Sequence, residues 1–154
     1  VRLIAGLLAC AAAPVLLSVV EARQAGSEAK HVVVPAGKAA FEPIEVPGFP
    51  TGMKIAALAG DPNATSGTYV IRLQFPDGYK FPPHWHPMAE NLTVLSGTFL
   101  LGMGEKDSGK VVSYSPGAFM SIPAKMPHFG GAKGATVIQL HGQAPFKIEL
   151  VTAK

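Results

Sequence analysis

A chain of 154 residues has room for one domain and too little for two separate cores. Only 15 % of the residues are charged, while glycine and proline number 17 and 14, a profile that suits a turn-rich all-β domain and argues against a helical bundle. The net charge of +3 is spread without any basic run, so the electrostatic footprint of a nucleic-acid binder is missing.

The first predicted element is a targeting segment. Arg2 precedes an apolar stretch from Leu3 to Val20, broken only by Gly6, Pro14 and Ser18, and Val20-Glu21-Ala22 offers modest residues for a signal peptidase. Residues 1–22 therefore read as a secretory signal removed after Ala22, which implies a periplasmic or secreted protein. An uncleaved membrane anchor is the alternative, because the run is near spanning length. Pro14 and the many alanines weigh against a stable spanning helix. Cys10 follows Leu8-Ala9 as in a lipoprotein, but apolar residues rather than a polar tether come after it. It is the only cysteine. A processed chain would then hold no disulfide and would depend on its packed core and on any bound metal.

Residues 23–31 form a polar lead-in ending at His31, to which no role is assigned, and residues 32–154 form the domain. Short β-type runs follow at Val32–Val34, Lys54–Ala59, Thr68–Phe75, Lys80–His86, Asn91–Ser96, Thr98–Leu101, Lys110–Tyr114, Phe119–Ile122, Thr136–His141 and Phe146–Val151. The residues between them carry turn chemistry, among them Asp77-Gly78, Ser96-Gly97, Ser115-Pro116-Gly117 and Gly130-Gly131. Many short strands at this spacing predict a sandwich or a closed barrel.

The chemistry is concentrated between Gly78 and Gly97. Residues two apart on a strand share a face, so His84 and His86 can aim both imidazoles at one point while Trp85 points away as a packing residue. Pro87 ends that strand, and a short connection lets Glu90 return a carboxylate on the next one. His128 can enter from a distant strand. Three neutral imidazoles and a carboxylate suit one divalent transition metal, Fe, Mn, Cu, Ni or Zn, whereas Ca or Mg would want more oxygen ligands. Met103, Met120 and Met126 read as packing residues.

These positions resemble the two cupin motifs. Gly78, His84, His86, Glu90 and Gly97 match every fixed position of the first, and Gly117, Pro123 and His128 match the second. Lys125 stands where the family has Gly, and Ala132 where it has Asn. The resemblance implies a jelly-roll β-barrel with a metal inside its mouth, held by His84, His86, Glu90 and His128, with one or two positions left for water, dioxygen or a substrate oxygen.

Residues around that centre are less constrained by pattern. Gln139 and His141 share a strand face opposite Ile138 and Leu140, and Arg72 and Gln74 share one opposite Ile71, Leu73 and Phe75. Such a polar face either meets solvent or lines the cavity. Gln139 and His141 are carried forward as candidate catalytic residues, together with Tyr79 as a phenol near the mouth. Three functions compete: an oxygenase-like enzyme acting on a small organic molecule, a redox-neutral isomerase or lyase with Tyr79 or His141 as base, and a non-catalytic metal- or ligand-binding protein. The first is ranked ahead. A small-molecule substrate or ligand is the expected partner, a homodimer is allowed, and a membrane enters only if residues 1–22 stay attached.

Overall fold

The structure, a computed structural model, describes residues 31–152. The expected signal and all of the lead-in before His31 lie outside the described residues. Nine strands follow in chain order: β1 (Glu42–Pro43), β2 (Lys54–Ala59), β3 (Thr68–Phe75), β4 (Lys80–Trp85), β5 (Glu90–Met103), β6 (Val112–Tyr114), β7 (Phe119–Ile122), β8 (His128–Gln143) and β9 (Glu149–Leu150). Among the described residues there is no helix.

All nine strands join one antiparallel, curled sheet, an all-β barrel of the expected cupin type. β5 and β8 form its spine. β8 pairs with β5 from His128 to Gly142 along one edge, while its other edge serves β4 near His128–Gly131 and then β3 from Thr136 to Gln143. Along β3 and the second half of β8, apolar residues at every second position turn inward, which is the half-buried strand pattern. Ile71, Leu73, Phe75, Leu92, Val94, Phe99, Ile138 and Leu140 thereby meet in one core.

Three predicted strands, β2, β3 and β7, have the predicted bounds. Others are corrected. Val32–Val34 joins no strand, a short β1 appears at Glu42–Pro43, and the last run shrinks to β9 because Phe146 leaves the sheet for a loop. The Ser96-Gly97 turn is a bulge inside one 14-residue strand, with register shifts on either side of Ser96. A Cβ on Gly97, where φ is +74°, would collide with Ala135 O and Thr136. Gly130-Gly131 is likewise no turn but the inner stretch of β8. There a side chain on Gly130 would run into the Leu100 carbonyl of β5, so glycine marks close backbone approach rather than reversal.

Lys125 occupies the left-handed region at φ 60°, as the glycine of the matching motif would. Its amide donates to the His86 carbonyl at 2.8 Å, tying this turn to the histidine strand, while its side chain is exposed. Lys125→Gly is therefore expected to leave the melting temperature unchanged or raise it, by at most about 1 kcal/mol of stability. A clear fall in a thermal melt would show that the lysine side chain makes a stabilising contact.

Candidate metal centre

His84 lies in β4 and His86 one residue beyond its end. The pair Pro82-Pro83 cannot donate to a ladder, and the β4–β8 register shifts across it, so Phe81 and His84 both turn inward although three positions apart. His128 opens β8 directly opposite His84, and Glu90 opens β5 opposite Gly142. All four side chains are buried. The ring centroids of His84 and His128 are 4.2 Å apart, those of His84 and His86 5.0 Å, and those of His86 and His128 5.4 Å. One nitrogen from each of the three rings lies within 4.8 Å of the others. Glu90 Oε2 sits 3.2 Å from His86 Nε2 and 3.5 Å from His128 Nε2.

Backbone carbonyls decide which nitrogen faces inward. His84 Nδ1 is 2.8 Å from Pro82 O, His86 Nδ1 2.6 Å from Lys147 O, and His128 Nδ1 3.0 Å from Met126 O. A carbonyl only accepts, so each Nδ1 carries the proton and donates, and each Nε2 keeps its lone pair. Carbonyl-oriented imidazoles of this kind are how metal-binding histidines are held. The three histidines could hold a metal ion, and the donor set fits a divalent one.

The electrostatics agree with neutral rings. Burial, reinforced by the neighbouring imidazoles, pushes His84 down to about 3 and His86 to about 4, and burial lowers His128 as well. Burial drives the Glu90 carboxyl up to about 8. Tyr69, buried behind the cluster, is raised by burial and then by the charge of Glu90.

For the metal-free protein these shifts set a pH window. Between about 4.5 and 6.5, the ordinary glutamate and histidine values, the unfolded chain protonates His84 and His86, which stay neutral when folded, and burial shifts His128 in the same direction. The unfolded chain releases only the single proton that folded Glu90 keeps. Stability should rise with pH there, then fall as pH climbs from 6.5 towards 8, where Glu90 alone differs. Melting in excess chelator is expected to peak near pH 6.5. A melting temperature still climbing from there to about pH 8 would contradict a protonated, buried Glu90.

Around the cluster is a narrow cavity of about 40 Å3. Its deep walls are core side chains such as Leu73, Phe75, Phe99, Ile138 and Leu140. Two loop phenylalanines close over the histidines. Phe49 meets His84 edge-on at 5.0 Å, and Phe146 stacks on His86 at 5.1 Å with 16° between planes.

The candidate catalytic residues lie elsewhere. Gln139 is on the outer face, where its Oε1 accepts from Arg72 Nε at 3.0 Å across the β3–β8 ladder. His141, on the same face, is exposed. Strand alternation gives the cavity to Ile138 and Leu140, so a polar pair at 139 and 141 must face out. Tyr79 is buried, and its hydroxyl donates to Pro50 O at 2.7 Å. It tethers the loop that carries Phe49 and does not line the cavity. Trp85 faces a surface hollow with Lys125 and Pro127, and of the three methionines only Met120 is buried, Met103 being 48 % exposed. Sequence patterning missed Phe49, Phe146 and Tyr69. The two phenylalanines sit in proline-flanked loops without periodicity, where only tertiary contact reveals a role.

Comparison with known proteins gives a consistent picture. Residues 71–140 match the family described as Cupin domain. A 77-residue stretch is 36 % identical to a germin-like protein, subfamily 1 member 7, of Arabidopsis thaliana, covering 47 % of this chain and 34 % of that protein. The chain thus spans about a third of the length of that relative. The fold resembles the polyketide cyclase RemF from Streptomyces resistomycificus, with a TM-score of 0.65 and 19 % identity over 82 % of this chain and 87 % of that one. It also resembles a cupin 2 conserved barrel domain protein from Rhodopseudomonas palustris, with a TM-score of 0.63 and 17 % identity over 80 % and 88 %.

Proposed function

The chain belongs to the cupin superfamily, and from that premise we propose that it is a metal-dependent enzyme of the oxygenase type acting on a small organic molecule. The carrying observation is the set of three imidazoles whose Nε2 lone pairs converge beside Glu90 in a cavity with no other acid or base in its lining. His84, His86, His128 and Glu90 would hold one divalent transition metal, with Fe, Mn, Cu, Ni and Zn all compatible with the donors. Such a metal, when bound, supplies Lewis acidity and, if it is iron, copper or manganese, one-electron chemistry.

The protein's own part is orientation and exclusion. The Pro82, Lys147 and Met126 carbonyls fix the three rings before any ligand arrives. Phe49 and Phe146 cover His84 and His86 and keep bulk water from them. Redox-neutral isomerisation would need a base within hydrogen-bond reach of the substrate. Tyr79 and His141, the side chains whose chemistry suits that task, are respectively tied to Pro50 and exposed on the outer face. That absence from the cavity lining favours the oxygenase reading.

Export through residues 1–22 belongs to the same proposal and is supported by Arg2 and the apolar run after it. Purification from the native host tests both. Iron, copper or manganese by elemental analysis, in protein whose N-terminus begins near Arg23, supports the proposal. Stoichiometric zinc would overturn the redox reading, and intact residues 1–22 in a membrane fraction would overturn export. A foreign host is unsuitable, because raw affinity favours copper and zinc at almost any such site.

A further inference from the structure

We infer that the substrate is a small, uncharged, apolar molecule presenting a single oxygen to the histidine cluster. The inference rests on the metal-dependent reading of the site and adds the class of molecule that fits it. Apart from His84, His86, Glu90 and His128, every residue lining the cavity is apolar, and five of them are phenylalanines. Phe75, Phe81 and Phe99 pack together at centroid distances of 5.7–6.2 Å as an inner wall, and Phe49 and Phe146 form the mouth. The space left between these walls is only about 40 Å3, well below the roughly 300–1,000 Å3 that small-molecule pockets span, so only a small molecule is admitted and the phenylalanines at the mouth must yield to it.

Two physical consequences follow from that lining. A ligand's polar group is hydrogen-bonded to water before it enters, and only the cluster can replace those bonds. The strands supply no substitute, since the backbone groups of β3, β5 and β8 are engaged with one another in the sheet ladders. A second polar or charged group on the substrate would therefore be stripped of water and left unpaired. Sugars, amino acids and hydroxy acids are disfavoured on this ground. Flat apolar rings are favoured, because offset or edge contacts with phenylalanines are available on several sides.

The test compares two phenols of nearly equal size, 4-ethylphenol and tyramine, which differ by one ammonium group, with lactate as a small hydrophilic oxygen donor. Binding to the full-length protein is measured by calorimetry, with and without excess chelator, and metal content is determined on the same sample. Binding of 4-ethylphenol at least tenfold tighter than tyramine and lactate is the expected result. Ile148→Glu, at a half-buried lining position, should shift the preference towards tyramine by supplying a partner for the ammonium. A gain of this kind cannot arise from misfolding. Equal or tighter binding of tyramine or lactate, or no saturable binding of 4-ethylphenol at millimolar concentration, overturns the inference. A preference for 4-ethylphenol in protein that takes up no metal would instead sink the metal-dependent reading and leave the apolar site standing.

Discussion

Replacing His86 with alanine is expected to abolish stoichiometric metal binding and to remove the chelator-sensitive part of thermal stability. His86 holds a central place in the cluster: its Nε2 lies 3.2 Å from Glu90, its Nδ1 is fixed by Lys147 O, and its ring stacks on Phe146. Loss of a mere hydrogen-bond partner of a ligand costs about 10- to 100-fold in metal affinity, so loss of the ligand itself should cost more than about 100-fold. Because the four side chains of the proposed centre come from β4, β5, β8 and the segment after β4, a metal held there would tie these elements together, and its binding energy would become folding energy. Some stability will be lost even in chelator, since removing the ring leaves Phe146 without its stacking partner. The informative quantity is therefore the difference between melts with and without chelator, which should vanish in the variant. His31→Ala and His141→Ala are the controls, both residues being exposed and outside the cavity. Each should keep full metal content, and His141→Ala should keep activity as well. Full occupancy in His86→Ala would overturn the site assignment.

Leu140→Ala should do the reverse, with a large loss of stability and retention of metal. Leu140 is buried in the core, lines the cavity, and stands in register with Ile71 on β3 and Leu92 on β5. Truncating a buried leucine removes transfer energy and leaves a void that closes only in part, a cost of about 2–5 kcal/mol. None of the four donors is altered, and the carbonyls that orient the imidazoles belong to Pro82, Lys147 and Met126, on other segments. The variant is thus expected to unfold at markedly lower denaturant while binding metal at one equivalent. A melting curve unchanged from the parent would mean that the core is not closed around β8 as the register indicates. Loss of metal without loss of stability would place Leu140 in the site rather than in its wall.

The legibility of this protein in its sequence was uneven, and particular residues show why. His84, His86 and Glu90 could be brought together on paper because their spacing is short and obeys the two-residue period of a strand. The same period fixed which of Ile138, Gln139, Leu140 and His141 share a face, but a period cannot say which face looks inward. Tertiary packing decided that in favour of Ile138 and Leu140, because burying two apolar side chains stabilises the fold while burying Gln139 and His141 without partners would not. Glycine misled in a different way. In the sequence Gly97 and Gly130-Gly131 suggest reversals, since glycine permits positive φ. In the structure backbone from a neighbouring strand occupies the space where a Cβ would sit at all three positions, and only Gly97 also needs a positive φ.

By itself, then, the sequence determined the all-β class, the bounds of β2, β3 and β7 and the grouping of His84, His86 and Glu90, all of which rest on local spacing and side-chain chemistry. Only the tertiary structure decided that Phe49 and Phe146 cover the histidines, that Tyr79 serves a loop rather than a reaction, and that Pro82, Lys147 and Met126 set the imidazole orientation. Lys147 is 61 positions from His86, and Tyr79 is 29 from Pro50. Contacts across such separations depend on how the sheet curls and where loops return. No local periodicity encodes them.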